Sequence, residues 1–374
     1  MFDSDREDGR FIRTDEFLYQ YWKRLRPKLT YASGMNRSDF GRWQRQVAEK
    51  LEQLLKFPDL AEEQPAPRML WEEQRDGYVL QKWESFPEPG SVVPFLMLVP
   101  SEATAQCPAP AVLCFTGSNH TKEMLADEPE TYVSNPNNRF PEHNRMALHY
   151  VKAGIIAIAI ENPGIGELHR YEENENRNWF AREMLMLGRN YLGLSVFQKL
   201  HILQWLKGQP IVDPGRIAVS GHSLGTGPAI MLAALDPHIK AIVFNDFLCD
   251  NRIRRVVSNE TVAQPSWHCV PYMLEWVTFP DIVASLAPRP IIITEGGVTA
   301  DLLKVKQAYE ELGAGERMQY HYYEMYASAE QRKWEMQEFP EGLDQDQFLE
   351  CANVDVQNHY FKEHLAVPWL KRVL

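Results

Sequence analysis

A chain of 374 residues is long enough for one large domain with an extension, or for two modest domains, because a single hydrophobic core stops growing at about 250 to 300 residues. Its 44% hydrophobic and 24% charged residues are typical of a globular protein and exclude an intrinsically disordered chain. A formal net charge of −12 disfavours binding to nucleic acid or to an anionic membrane surface, because both require a basic face.

The cysteine pattern indicates reduced thiols. There are five cysteines, which is an odd number, and they are widely spaced without any C-x-x-C pair. This pattern argues against a disulfide framework and against a zinc site. The first thirty residues contain neither a secretory apolar segment nor a transmembrane run. We therefore expect a cytoplasmic protein, unless a signal peptide has been removed.

The N-terminal region has the apolar spacing of helices. Residues 17–25 and 40–57 place apolar side chains at intervals of three and four. Pro65 and Pro67 mark the end of this region. The sequence predicts a helical extension over residues 1–67 that packs on a main domain formed by residues 68–374.

The pattern then changes to that of a sheet. Residues 78–82 and 92–99 are two extended runs separated by a turn, which predicts an antiparallel hairpin. Continuous apolar runs follow with helical patterns between them, which is typical of buried parallel strands. These runs are residues 111–115, 155–160, 217–219, 241–244 and 291–294. We expect an α/β fold with a doubly wound, mostly parallel sheet.

An irregular aromatic stretch at residues 251–280 interrupts this alternation. It fits neither a strand nor a long helix, so we predict a small cap over the functional site. Trp267, Tyr272 and Trp276 could stack on sugar rings there, or could form the core of the cap itself.

A G-x-S-x-G motif at residues 221–225 lies directly after an apolar strand and directly before a helical run. Glycines on either side of a serine allow a strand to reverse sharply into a helix, which exposes the serine hydroxyl above the sheet. The motif predicts Ser223 as a nucleophile.

A serine hydroxyl needs a histidine base to become a strong nucleophile. Only His268, His321, His359 and His364 follow Ser223 by enough residues to be candidates. His359 lies in a polar loop before the last predicted helix, whereas His364 falls inside that helix. We therefore predict His359 as the base.

The acid that orients the base should follow the strand at residues 291–294. Two carboxylates compete for this role, Glu295 at the strand tip and Asp301 in the following loop. We favour Asp301, because a loop carboxylate can reach the histidine from the side. Asp301 could instead only cap the helix predicted over residues 302–312.

An oxyanion hole requires two backbone N–H groups. Leu224, which follows the nucleophile, is expected to supply one. The turn after the strand at residues 111–115 should supply the other, with Ser118 as the candidate. Thr116 occupies the place where lipases and esterases often carry histidine.

Several segments together resemble one branch of the α/β-hydrolases, the acetyl xylan esterase-like proteins related to dienelactone hydrolases and acylaminoacyl-peptidases. The resemblance covers about residues 70 to 374 and is carried by residues 212–225, 286–297, 353–361 and 367–370. It implies an α/β-hydrolase fold and a carboxylic ester hydrolase that works through an acyl-enzyme, with Ser223 and His359 as nucleophile and base. It also implies that neither a metal nor an organic cofactor is needed. Thr116 and Thr299 differ from the residues that many relatives carry at these two positions. Related proteins can carry an acid at the position of Thr299.

The expected substrate is a small ester, and removal of an acetyl group from a carbohydrate is the leading candidate. One alternative is a peptidase or amidase of the acylaminoacyl-peptidase type, although the chain lacks the propeller-sized N-terminal domain of those enzymes. A second alternative is a binding protein that kept the hydrolase fold but lost a working acid. A lyase or a thioesterase could also use this scaffold. A homo-oligomer is compatible with the sequence.

Overall fold

The structure is a computed structural model that describes residues 4–118, 120–129, 140–169, 176–258 and 265–374. Its described helices are α1 (Thr14–Arg24), α2 (Arg37–Leu55), α3 (Lys122–Ala126), α4 (Pro141–Asn144), α5 (Met146–Lys152), α6 (Asn176–Met186), α7 (Tyr191–Leu206), α8 (Thr226–Leu235), α9 (Asn251–Val257), α10 (Met273–Trp276), α11 (Phe279–Ala284), α12 (Thr299–Glu311), α13 (Gln345–Cys351) and α14 (Glu363–Val373). Its strands are β1 (Arg68–Arg75), β2 (Tyr78–Ser85), β3 (Val93–Pro100), β4 (Ala109–Phe115), β5 (Ile156–Ile160), β6 (Val212–His222), β7 (Ile239–Asn245), β8 (Ile291–Ile293) and β9 (Met318–Tyr320).

The described strands form one mixed sheet in the order β1-β2-β3-β5-β4-β6-β7-β8-β9. The pairs β1–β2, β2–β3 and β3–β5 are antiparallel, and the remaining pairs are parallel. The central strands are buried on both faces, because helices cover both sides of a parallel sheet. This architecture confirms the predicted α/β-hydrolase fold with a doubly wound, mostly parallel sheet.

The N-terminal region shares the main hydrophobic core. The apolar face of α2 places Phe40, Trp43, Val47 and Leu51 in the same buried cluster as residues of α7 and α8. The indole Nε1 of Trp43 donates a hydrogen bond of 2.9 Å to the Leu29 carbonyl oxygen, which fixes the connection between α1 and α2. The two predicted helices are therefore present.

Two strands were not predicted from the sequence. β1 is exposed along almost its whole length, so its side chains do not alternate between apolar and polar. β9 is only three residues long, which is too short to give a periodic signal.

The segment predicted as a cap, residues 251–280, consists of α9, a single turn of 3-10 helix at Ser266–His268, α10 and the first residues of α11. Residues 259–264 of this segment lie outside the described part of the chain. Among the described helices, none is both long enough and apolar enough to cross a bilayer.

The register of the parallel strands determines where the functional residues lie. Phe115 of β4 pairs with Gly221 of β6, His222 of β6 pairs with Asn245 of β7, and Phe244 pairs with Ile293 of β8. The carboxyl ends of these four strands are therefore level. Parallel α/β sheets bind ligands at this edge, because the loops that leave neighbouring strands meet there.

Candidate active site

Ser223 lies in a strained turn between β6 and α8. It has a φ of 51°, which a residue with a side chain adopts only at some cost. The turn is tight enough that a Cβ on Gly225 would come within 2.4 Å of the Phe115 carbonyl oxygen. Glycine is therefore required at this position for the turn to pack against β4. The hydroxyl of Ser223 is consequently held at the carboxyl edge of the sheet.

A cavity of about 340 Å³ opens at this edge. Ser118, Ser223, Leu224 and His359 all line it. The structure therefore brings together the predicted nucleophile, the predicted base and both residues predicted to supply oxyanion N–H groups. The volume lies at the lower end of the range for small-molecule sites, about 300 to 1,000 Å³.

His359 contacts Glu295 through its Nδ1 atom. The distance from Nδ1 to Oε2 of Glu295 is 2.7 Å, and the Glu295 side chain is fully buried. Glu295 stands two residues after β8, and His359 follows a short 3-10 helix, Val356–Asn358. Because Nδ1 faces a carboxylate, the proton of a neutral imidazole resides there and Nε2 keeps the basic lone pair.

The second oxygen of Glu295 is also held. The backbone N–H of Tyr360 donates to Oε1 at 3.3 Å, and the Lys362 ammonium lies 3.3 Å from the same atom. A buried carboxylate with partners on both oxygens cannot rotate freely. Glu295 is therefore fixed beside the imidazole of His359.

The structure does not bring Asp301, the favoured partner of His359, into contact with the imidazole. Asp301 lies in the first turn of α12, where its Oδ2 accepts a 2.7 Å hydrogen bond from the backbone N–H of Asp250. Burial, with a contribution from the nearby Asp250 carboxylate, raises the pKa of Asp301 to about 7. This hydrogen bond connects α12 to Asp250, the residue directly before the cap segment.

The path of the chain after Glu295 explains this outcome. Gly296 and Gly297 both have positive φ, 64° and 133°. A Cβ on Gly297 would lie 2.1 Å from the Leu248 carbonyl oxygen, so only glycine lets this segment pack against the chain that continues from β7. The double-glycine turn leads α12 and Asp301 towards Asp250, whereas Glu295 stays at the strand end.

The environment of His359 favours its protonated form. Burial alone would lower the pKa of His359, but the carboxylates of Glu295 and Asp246 more than compensate and raise it to about 9. A base with this pKa loses its proton only as the solution becomes alkaline.

Asp246 is a second carboxylate near His359 that the sequence analysis did not identify. It follows directly after β7 and lines the cavity. One carboxylate oxygen of Asp246, one of Glu295 and one ring nitrogen of His359 all lie within 4.8 Å of one another. Burial raises the pKa of Asp246 to about 6, although His359 opposes this shift. The signal that could have found it was its position, since it occupies the strand end beside the nucleophile strand.

Replacement of Asp246 by Asn is expected to move the pH dependence of ester hydrolysis. Removal of this negative charge destabilises the His359 imidazolium and lowers the pKa of His359. The midpoint of the rise of kcat/KM with pH should therefore shift down by about one unit. The measurement is kcat/KM from pH 5 to 10 for the wild type and for Asp246→Asn, with Asp213→Asn as a control at a partly exposed carboxylate that is paired with Arg216 and does not line the cavity. An unchanged profile, or a shift to higher pH, would contradict the role of Asp246.

Asn245 connects the strand ends to the histidine loop. Its Nδ2 donates to Nδ1 of His222 at 2.8 Å and to the Tyr360 carbonyl oxygen at 3.0 Å. Its Oδ1 accepts from the Thr294 hydroxyl at 2.7 Å and from the Lys362 N–H at 2.8 Å. Local sequence patterns could not predict this role, because the partners of Asn245 are distant from it along the chain.

The ring of His222 packs between two other imidazoles. Its centroid lies 5.0 Å from that of His120 and 4.7 Å from that of His359. Burial, together with the neighbouring His359 and His120, lowers the pKa of His222 well below its usual value. His222 is therefore a neutral packing partner that supports the ring of His359.

A buried polar network supports the turn that carries Ser118. Nδ2 of Asn162 donates to the Thr116 carbonyl oxygen at 2.6 Å, and Oδ1 of Asn162 accepts from the Ser195 hydroxyl and the Lys199 ammonium at 2.9 and 3.0 Å. Burial lowers the pKa of Lys199 to about 7. Thr116 thus belongs to a fixed hydrogen-bond network immediately before Ser118.

The aromatic residues of the cap segment separate into two groups. Trp267 lines the cavity, whereas Tyr272 is 71% exposed and is not part of the cavity wall. Trp276 instead lies beneath the ammonium groups of Lys28 and Lys50 from the N-terminal region, at 4.5 and 3.9 Å from its ring centroid. Of the three aromatic residues predicted as candidates for sugar stacking, only Trp267 is in place to contact a ligand in this cavity.

Comparison with known proteins gives matches over the full length. The Abhydrolase_7 model of the Abhydrolase family matches residues 1–372. A solved structure from Bacteroides fragilis NCTC 9343, described as a "putative acetyl xylan esterase", is 36% identical, has a TM-score of 0.93, and is matched over 100% of this chain and 98% of that chain.

More distant matches are partial or share only the fold. "Putative hydrolase YtaP" from Bacillus subtilis (strain 168) is 27% identical over 138 residues, which are 37% of this chain and 44% of that protein. The match therefore spans less than half the length of this curated relative. A CE15 glucuronoyl esterase from Teredinibacter turnerae T7901 is 17% identical with a TM-score of 0.53, over 83% of this chain and 84% of that chain.

These matches confirm the resemblance to acetyl xylan esterase-like α/β-hydrolases that the motifs predicted. The family match includes the N-terminal helices as well as the sheet and the serine turn. The chain belongs to the Abhydrolase family.

Proposed function

We propose that the protein is a serine carboxylic ester hydrolase with Ser223, His359 and Glu295 as its triad. The observation that carries the proposal is the arrangement around one cavity. A serine in a strained strand-to-helix turn shares this cavity with a histidine whose Nδ1 is held 2.7 Å from a buried carboxylate. The family match and the full-length relative support a hydrolase of this type.

In the proposed reaction, Ser223 Oγ attacks the ester carbonyl while Nε2 of His359 accepts its proton. The backbone N–H groups of Leu224 and Ser118 stabilise the negative charge that develops on the carbonyl oxygen. His359 then donates the proton to the leaving alcohol, which leaves an acyl-enzyme. Water, deprotonated by His359, attacks the acyl-enzyme, releases the acid and restores the Ser223 hydroxyl. Glu295 is a positioning residue, because it touches the imidazole and not the substrate.

We propose a small ester as the substrate, with an acetylated sugar as the first candidate. A cavity of about 340 Å³ admits a small acyl group together with a compact alcohol. Trp267 in the cavity wall offers an apolar ring face, and the full-length relative is described as a "putative acetyl xylan esterase". All five cysteines are unpaired, which supports a reducing, cytoplasmic location. A homo-oligomer remains a prediction.

The decisive experiment combines covalent labelling with turnover. Purified protein is treated with a fluorophosphonate, and the modified peptide is located by mass spectrometry. We expect one adduct on Ser223, together with hydrolysis of p-nitrophenyl acetate, because a serine activated by a neighbouring base reacts readily with this electrophile whereas ordinary serines do not. Acetylated xylose, tested beside p-nitrophenyl acetate and a p-nitroanilide, then separates a sugar esterase from a general esterase and from an amidase.

Two outcomes would contradict the proposal. Labelling without ester hydrolysis, but with p-nitroanilide cleavage, would favour a peptidase or amidase. Neither labelling nor turnover would favour a hydrolase-fold binding protein without catalytic activity.

A further inference from the structure

One part of the catalytic cavity is positively charged, although the chain as a whole carries a net charge of −12. Arg254 lines the cavity together with Ser223 and His359. Among the described residues of the cavity wall, Arg254 is the only lysine or arginine, and Asp246 is the only carboxylate. No part of the proposed ester hydrolysis uses Arg254.

Arg254 is carried by a firmly attached helix. The side chain of Asp250 caps α9 by accepting from the Arg252 N–H at 2.7 Å, and the Asp250 N–H itself donates to Asp301. The Arg254 guanidinium lies over the ring of Phe348, 5.3 Å from the ring centroid. This contact fixes the position of the guanidinium, whose N–H donors all lie in its own plane.

Two more arginines lie close to the same part of the cavity. The Arg177 guanidinium lies 4.7 Å from the ring centroid of Trp267, which is itself part of the cavity wall. His268, another wall residue, senses all three charges, since burial together with Arg254, Arg255 and Arg177 lowers the pKa of His268 to about 4. The charges of three guanidinium groups therefore act on the imidazole of His268, which is partly exposed. An anion that enters this region is attracted strongly, because screening by water is weak there.

Arg254 keeps its positive charge although it is partly buried. Burial lowers the pKa of Arg254, while Cys249 and Asp246 act in the opposite direction. An arginine remains charged under all physiological conditions, so the cavity retains a positive group.

We propose that Arg254 binds a carboxylate on the substrate, so that the enzyme acts on small esters whose acyl or alcohol part is negatively charged. This inference rests on the proposed esterase function and narrows its substrate class. The planar fork of a guanidinium matches a carboxylate with two parallel N–H···O bonds, which gives orientation as well as affinity. Arg254 would thus place the ester carbonyl relative to Ser223.

The test uses pairs of esters of similar size, in which one member carries a carboxylate and the other is neutral. 4-Acetoxybenzoate and methyl 4-acetoxybenzoate place the carboxylate on the alcohol side, whereas monomethyl adipate and methyl hexanoate place it on the acyl side. The enzymes are the wild type, Arg254→Gln, Arg254→Lys and the control Arg252→Gln, whose arginine lies on the same helix but does not line the cavity.

We expect Arg254→Gln to raise KM about 10- to 100-fold for the anionic ester of at least one pair, since a hydrogen bond to a charged group is worth about 1.5 to 3 kcal/mol. The neutral ester of that pair should keep the kinetic constants of the wild type. Arg254→Lys should restore part of the loss, and Arg252→Gln should behave like the wild type. The identity of the affected pair shows which side of the ester carries the carboxylate.

Equal losses for anionic and neutral esters in Arg254→Gln would overturn the inference and leave Arg254 with a structural role. A wild type that prefers the neutral esters would also overturn it, while hydrolysis that depends on Ser223 would leave the esterase proposal intact. If no ester is hydrolysed, the esterase proposal fails, and calorimetric titration of adipate decides the inference. Binding to the wild type that is lost in Arg254→Gln would support the site, whereas equal binding, or no binding to the wild type, would overturn it.

Discussion

Replacement of Ser223 or His359 by alanine is expected to lower kcat for p-nitrophenyl acetate by about 10⁴-fold or more. Without the Ser223 hydroxyl no acyl-enzyme can form, and without the imidazole the hydroxyl keeps its proton at neutral pH. The two losses should be similar, and the double variant should be no worse than either single variant, because the two groups act as one unit. The measurement is steady-state kinetics with a fluorophosphonate labelling assay beside it.

The matched controls for these variants are Ser101→Ala and His364→Ala. Ser101 lies in an exposed turn after β3, and His364 is an exposed residue of α14 only five positions after His359. Both controls should retain wild-type activity. If His364→Ala loses activity as severely as His359→Ala, the assignment of the base is wrong.

Replacement of Glu295 by Gln is expected to lower kcat by about 10³- to 10⁴-fold, whereas Asp301→Asn should remain close to the wild type. A glutamine at position 295 occupies almost the same volume as Glu295 but cannot stabilise the His359 imidazolium, and its amide N–H₂ can favour the wrong imidazole tautomer. Asp301 makes its 2.7 Å hydrogen bond to the Asp250 backbone, and an asparagine oxygen can still accept that bond.

The pH profile distinguishes positioning of His359 from a purely structural role of Glu295. Since the Glu295 carboxylate raises the pKa of His359, its loss should move the rise of kcat/KM to lower pH as well as reduce its maximum. Glu295→Asp should recover part of the activity, because it restores the charge at a slightly longer distance. A large loss in Asp301→Asn with an active Glu295→Gln would reverse the proposed assignment of the acid.

The sequence positions of Glu295 and Asp301 do not show which of the two carboxylates contacts His359. Glu295 and Asp301 are six positions apart, and both follow the same strand. The decision depends on the double-glycine turn at Gly296 and Gly297, whose direction is set by its packing against Leu248. That contact joins two segments about fifty residues apart, so local sequence patterns carry no information about it.

Sequence patterns also could not identify the residues around the proposed triad. Asn245 gains its role from hydrogen bonds to His222, Thr294 and the loop around Tyr360, which converge only after the sheet has formed. Asp246 approaches His359 because β7 lies between β6 and β8 in the sheet. Strand order is a tertiary property, since it depends on how crossover helices pack and not on the residues of one strand.

Sequence patterns correctly predicted the features that depend on interactions between neighbouring residues. Continuous apolar runs predicted the central parallel strands, helical spacing predicted α2, and the glycines at 221 and 225 predicted the turn that exposes Ser223, because each signal lies within one element. The packing of distant segments determines which carboxylate contacts His359 and which aromatic residue of the cap segment reaches the cavity. It also places Arg254 in the cavity wall. These outcomes depend on contacts between segments that are distant along the chain, and such contacts produce no periodic pattern in the sequence.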